Sequence, residues 1–157
     1  MTIRRAKITD LPMLQSLLQE ILVFHHELLP GIFKSKGMKY DERALTQLLN
    51  DEHYLILVME QDAKIIGHAY LAIQEIKNHP TLENKRILFL DDLYIVGSFR
   101  GQGLGKMMLE FLKTLAKKEA FDEIRLHVWL ANKKARAFYQ SLGFSDLMLT
   151  MNLEIKE

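Results

Sequence analysis

The stretch Ile87 to Leu109, ILFLDDLYIVGSFRGQGLGKMML, constrains this chain more than any other. It opens on apolar, β-branched and aromatic residues, Ile87-Leu88-Phe89-Leu90 and Leu93-Tyr94-Ile95-Val96, broken only by Asp91 and Asp92. Such a run predicts a strand buried on both faces. Glycines follow at 101, 103 and 105, and then Leu104, Met107, Met108, Phe111, Leu112 and Leu115 step by three and four, the spacing of a helix with one apolar face. Strand, glycine turn and helix in that order present free backbone N–H groups and the positive end of a helix to one place. That is an anion cradle, suited above all to phosphate.

Three phosphate-binding patterns compete for the loop. A P-loop needs glycine five places before Gly105, where this chain has Arg100, and Ser or Thr where it has Met107. The dinucleotide fingerprint would put its third glycine on Lys106 or Met108. The pattern that fits is Arg-x-x-Gly-x-Gly, read at Arg100, Gly103 and Gly105. Here the sequence resembles the GNAT superfamily of N-acetyltransferases, in which the loop amides hold the pyrophosphate of coenzyme A. The resemblance implies acetyl-CoA as co-substrate, bound by Arg100, Gly101, Gln102, Gly103, Leu104, Gly105 and Lys106. Arg100 is a phosphate contact or fixes the turn through backbone bonds. By the same resemblance, Leu93, Tyr94 and Ile95 offer backbone groups to the pantetheine arm in the manner of an added strand.

In chain order, Thr2–Ile8 is a candidate strand, and Thr9 and Asp10 can cap a helix with Pro12 in its first turn. Leu14, Leu17, Leu18, Ile21, Leu22 and His25 form its apolar stripe, and Pro30-Gly31 end it. Lys34–Lys39 is a basic loop, and Asp41 caps a short helix carrying Leu45, Leu48 and Leu49. Tyr54–Glu60 and Ile65–Ile76 read as paired strands around a turn at 61–64, with Gly67 marking a bulge or a close approach. A polar loop over 77–85 leads to the central strand. After the glycine-loop helix, Glu123–Leu130 alternates, with Ile124, Leu126, Val128 and Leu130 on one face and Arg125, His127 and Trp129 on the other. Asn132 opens a helix that Gly143 ends, and Phe144–Ile155 predicts a last strand or hairpin. The order β-α-α-β-β-β-α-β-α-β predicts an α/β (α+β layered) fold: a mixed, mostly antiparallel sheet with helices on both faces.

That order matches the acetyltransferase fold from end to end. A second motif does so position by position: Asn132-x-x-Ala135-x-x-x-Tyr139, followed by Leu142-Gly143-Phe144. The resemblance adds Asn132, Lys134 and Ala135 to the cofactor-binding residues. It also puts a tyrosine hydroxyl, here Tyr139, beside the thioester sulfur as the acid for the leaving thiolate. On its residues alone Tyr139, beside Phe138, reads as core with a satisfied hydroxyl. Asn132 caps its helix, touches coenzyme A, or does both.

At 157 residues the chain is long enough for one substantial core, and a single domain over residues 1–157 is expected. The 48% apolar content argues against disorder, and a net charge of +1 offers no nucleic-acid surface. Without cysteine there is no disulfide or thiol catalysis. No signal-peptide pattern or membrane-length apolar run is present, so a soluble cytoplasmic protein is expected. The six histidines show no metal-ligand spacing, and no metal is expected.

Asp91 and Asp92 stand out, because two carboxylates in an apolar strand cost free energy unless paired, solvated or used. Adjacent strand residues face opposite ways, so they share a site only if a bulge intervenes. The run Leu90-Asp91-Asp92-Leu93-Tyr94-Ile95 resembles the matching strand of diamine acetyltransferases, where an acidic residue at the position of Asp91 is linked to taking the amine's proton. The catalytic candidates are therefore Tyr139, Asp91 as base, and Asp92 with a structural partner. His25, Phe33 and Trp129 are candidate linings of the acceptor pocket. The expected activity is acetyl transfer from acetyl-CoA to a primary amine, on a small molecule or a peptide, by direct attack. The alternative is a non-catalytic acyl-CoA sensor on the same fold. No nucleic acid or membrane is expected as partner, and a homodimer is left open.

Overall fold

A computed structural model describes residues 1–156, which group into two compact units, one over residues 1–127 and one from 128 onward. The first unit runs β1 (Thr2–Arg5), a 3-10 turn (Ile8–Asp10), α1 (Leu11–Leu28), α2 (Glu42–Asn50), β2 (Tyr54–Gln61), β3 (Lys64–Ile76), β4 (Lys85–Ile95), a second 3-10 turn (Gly97–Phe99), α3 (Leu104–Lys118) and β5 (Glu123–Leu126). The second carries α4 (Lys133–Ser141).

The strands lie in one sheet in chain order, antiparallel from β1 to β4, with β5 parallel to β4. Tight hairpins explain the antiparallel part. Asp62 and Ala63 join β2 to β3 at positive φ, the twist a two-residue hairpin requires. The parallel pair needs a crossover, and α3 supplies it. Strand residues alternate between two cores. Ile56, Val58, Tyr70 and Tyr94 pack with Leu11, Leu14, Leu17 and Leu18 of α1 and Leu45 of α2. Leu57, Met59, Ala69 and Leu71, one place along, point to the other face. There α3 buries Leu104, Met108, Leu109 and Leu112 and packs against β4 and β5. No helix among the described residues is long and apolar enough to cross a membrane.

The Asp41 carboxylate caps α2 by accepting from the Ala44 amide at 2.7 Å. Asp10 stands at the N-cap position of α1 but its side chain bonds elsewhere: it accepts from the Lys7 amide at 2.7 Å and pairs with the Arg4 guanidinium at 2.8 Å, tying β1 to the helix start. At Gly67 the chain is crowded, with β2 slipping register opposite it, between Met59 and Glu60.

Two expected strands differ. β5 stops at Leu126 rather than Leu130, because its ladder with β4 spans only Ile87↔Glu123 to Leu90↔Leu126. The next residue of β4, Asp91, is a bulge, and a bulge bends its strand away from the ladder. The last strand over 144–155 is not formed among the described residues. Its two-residue apolar period is real, but Leu147, Leu149, Met151, Leu153 and Ile155 stand exposed, and a strand without a ladder partner is not stable.

Candidate active site

The glycine loop takes the form its sequence implies. Gly101 and Gly103 hold φ of 76° and 78°, left-handed values that cost a residue with a Cβ. Gly103 stands at the N-cap of α3 and accepts from the Met107 amide at 3.0 Å. The backbone N–H groups of residues 101–106 find no acceptor among the described residues, as at any open helix start. A Cβ at Gly103 would meet nothing within 4 Å, so the space beside it is open. This cradle fits a pyrophosphate: free donors, a helix dipole and no side chain in the way. Arg100 fixes the turn, donating from Nε to the Ile95 carbonyl at 2.8 Å, with its guanidinium 5.0 Å from the centre of the Tyr94 ring.

Beyond Leu90, β4 is paired on one side only. β3 follows it to Ile95, but β5 has ended, so, among the described residues, 91–95 carry a free edge. Leu93, Tyr94 and Ile95 lie on that edge. Tyr94 turns its side chain into the α1 face and donates to Glu20 at 2.7 Å; burial and this bond push its phenol up to about 12.

The bulge changes what the two carboxylates can do. Tyr70 pairs with Asp92 and Leu71 with Leu90, so Asp91 is the extra residue. Both carboxylates then reach a single ammonium: Lys39 Nζ lies 3.0 Å from Asp91 Oδ2 and 3.9 Å from Asp92 Oδ2. Asp91 is the more open, its side chain 31% exposed against 7% for Asp92. The Tyr40 hydroxyl also donates to Asp91, at 3.5 Å. His68 Nε2 approaches Asp92 at 3.7 Å, and Tyr70 meets His68 edge-on with ring centres 4.8 Å apart. Both ring nitrogens of His68 and the Tyr70 hydroxyl are buried without a hydrogen-bond partner among the described residues.

The charges here act on one another. Burial pulls the Lys39 ammonium down, but the Asp92 and Asp91 carboxylates outweigh it and hold the group above the ordinary lysine value. Burial, then the charge of Asp92, lifts the Tyr70 phenol well above its usual range. Burial lowers the His25 imidazole, with Asp92 opposing and Lys39 assisting. His25 stacks on Phe33 with ring centres 4.8 Å apart, so two of the three expected pocket residues stand together within the field of the carboxylates.

The second unit holds the other motif. Asn132 caps α4, its side chain accepting from the Ala135 amide at 3.1 Å. Gly143, at φ 94°, donates to Gln140, and Phe144 donates to the Tyr139 carbonyl at 3.1 Å, which together form a Schellman end. The Tyr139 ring meets Phe144 edge-on at 5.6 Å and Phe138 at 5.2 Å. Lys134 is exposed on α4, and Trp129 is 43% exposed before it, outside the shortened β5.

The sequence profile described as the Acetyltransferase (GNAT) family matches residues 18–144. The chain belongs to this family. Its members are acetyltransferases, so this protein is one, and acetyl-CoA is the family's acetyl donor. An uncharacterized N-acetyltransferase of Bacillus subtilis, YhfO, is 26% identical over 149 residues, covering 93% of this chain and 91% of that protein. The thialysine N-epsilon-acetyltransferase of Bos taurus is 34% identical over 62 residues, 40% of this chain and 36% of that enzyme. The crystal structure of a point mutant of a Bacillus halodurans protein superposes with a TM-score of 0.94 at 25% identity, covering 99% of this chain and all of that one.

Sequence reasoning left out Lys39, Tyr40, His68 and Tyr70. The alternation of β3 places His68 and Tyr70 on one face, which was the signal available; their register with Tyr94 and Asp92 comes only from the fold. For Lys39 there was none beyond the basic character of its loop.

Proposed function

We propose that this acetyltransferase moves the acetyl group of acetyl-CoA to a small cationic primary amine by direct attack. The observation that carries this reading is the bulge at Asp91, which turns two carboxylates toward one ammonium beside the free edge of β4. The amides of Gly101–Lys106 hold the pyrophosphate, the edge from Leu93 to Ile95 holds the pantetheine arm, and Asn132, Lys134 and Ala135 complete the cofactor contacts by the match of their motif. When bound, the cofactor supplies an activated acetyl thioester.

An alkyl ammonium has pKa ~10.4, so about one molecule in 10³ is a nucleophile at neutral pH. Asp91 pairs with the incoming ammonium and receives its proton, directly or through water. Asp92, the more buried, keeps its place against His68 and steadies the charge of the pair. His25 and Phe33 line the acceptor side. Tyr139 holds a proton for the leaving sulfur; a phenol near 10 is matched to a thiolate near 8.5. Its assignment rests on the motif from Asn132 to Gly143. The relative that acetylates thialysine at its ε-amine supports a primary amine of this kind.

Turnover of acetyl-CoA against a panel of amines, followed by thiol release, tests the reading. Release dependent on primary alkyl amines is expected. Binding of acetyl-CoA without turnover of any primary amine would overturn this reading of the acceptor.

A further inference from the structure

The Lys39 ammonium lies where the proposed reaction needs the ammonium of the substrate. It reaches Asp91 and Asp92 from the loop between α1 and α2, at 3.0 and 3.9 Å. Lys34 and Lys36, on the same loop, pair with no carboxylate among the described residues, so basic composition alone does not explain the contact. Asp92 is nearly buried beside a second carboxylate, so the pair gains from a cation placed against both. The other groups beside the pair, Tyr40, Tyr70, His68 and His25, offer no permanent positive charge. Among the described residues Lys39 is therefore the one permanent cation against the two carboxylates. Lys39 is free to leave them: its side chain is 43% exposed and its backbone belongs to a loop rather than to the sheet.

We propose that Lys39 is a resident counter-cation of the acceptor site, and that a cationic amine binds by taking its place between Asp91 and Asp92. Lys39 is then a specificity-determining residue. A neutral ligand cannot compensate the carboxylates and leaves Lys39 seated, whereas a cationic one replaces it charge for charge. The apparent affinity for an amine is reduced by the fraction of molecules in which Lys39 has left. With Lys39 seated in roughly nine molecules of ten, removing it should tighten binding about tenfold. The inference rests on the reading that Asp91 faces the acceptor.

Binding of butylamine, with butanol as neutral control, is measured by calorimetry on the full chain in saturating coenzyme A, where no transfer occurs. Lys39→Met and Lys39→Gln should bind butylamine about tenfold more tightly than wild type and leave butanol unchanged. Lys39→Arg, which keeps a cation on the loop, should stay near the wild-type affinity. Circular dichroism verifies that each variant is folded. If both neutral variants bind butylamine no better than wild type, or if butanol gains equally, Lys39 does not hold the amine's place. The amine panel separates this failure from the larger one. Turnover by wild type with no gain in the variants overturns only the displacement idea, whereas tighter butylamine binding without turnover of any amine supports the cation seat and removes the primary-amine acceptor.

Discussion

A Cβ on Gly67 would stand 2.7 Å from the carbonyl oxygen of Tyr94 and 2.6 Å from Ile95 Cδ1. The Ile95 methyl can swing aside, but the Tyr94 carbonyl is backbone on the strand expected to carry the cofactor arm. Gly67→Ala should push β3 from β4 and cost about 1–3 kcal/mol, read from urea unfolding. It should also weaken acetyl-CoA binding in calorimetry. An unchanged midpoint would mean that the strands separate there without strain.

Gly103→Val should abolish acetyl-CoA binding in a chain that stays folded, because valine resists the left-handed backbone that shapes the loop and adds a side chain beside its open amides. Undiminished affinity in calorimetry would place the pyrophosphate elsewhere.

Acid should loosen the N-terminus first. The hydrogen bonds from Arg4, with further help from the Lys7 amide, hold the Asp10 carboxyl below its ordinary value despite burial. Its folded value lies below its unfolded one, so its contribution is full above about pH 4 and is lost as pH falls through the folded value. Asp10→Asn should cost about 1–3 kcal/mol at pH 7 and much less near pH 3. Urea unfolding at the two pH values checks this, and an equal loss at both would contradict it.

Much of the fold was legible because its signals are local. The three-and-four spacing from Leu104 to Leu115 gives α3, and the positive φ at Gly101 and Gly103 follows from their side-chain-free backbones. Asp41, Asn132 and Gly143 mark helix ends that chain neighbours decide. The acceptor side was less legible, because its geometry is long-range. The bulge at Asp91 is set by which residue of β3 faces Asp92, and Lys39 meets Asp91 across 52 positions of chain. Alternation alone sends Asp91 and Asp92 to opposite faces, and only the pairing with Tyr70 and Leu71 brings them together. The strand expected at 144–155 failed for a related reason: a two-residue period states a preference, and the ladder that would realise it is not in the pattern.

Tyr139→Phe should lower kcat by roughly 10²–10⁴-fold with little change in cofactor affinity if its hydroxyl protonates the leaving thiolate. The ring contacts with Phe138 and Phe144 survive that change. Full activity in the variant would return Tyr139 to packing and leave water as the acid.

The central claim is that Asp91 receives the proton of a primary amine, and the pH profile of Asp91→Asn tests it most directly. With the best amine from the panel, kcat/KM is measured from about pH 6 to 9, where the neutral amine gains roughly tenfold per unit. Asp91→Asn should fall furthest below wild type at low pH and approach it as the amine deprotonates unaided. Asp92→Asn, which loses its charge against Lys39 and His68, should lower stability and also weaken binding of the amine. A wild-type profile for Asp91→Asn across that range would contradict the account, and bulk water would then be the base.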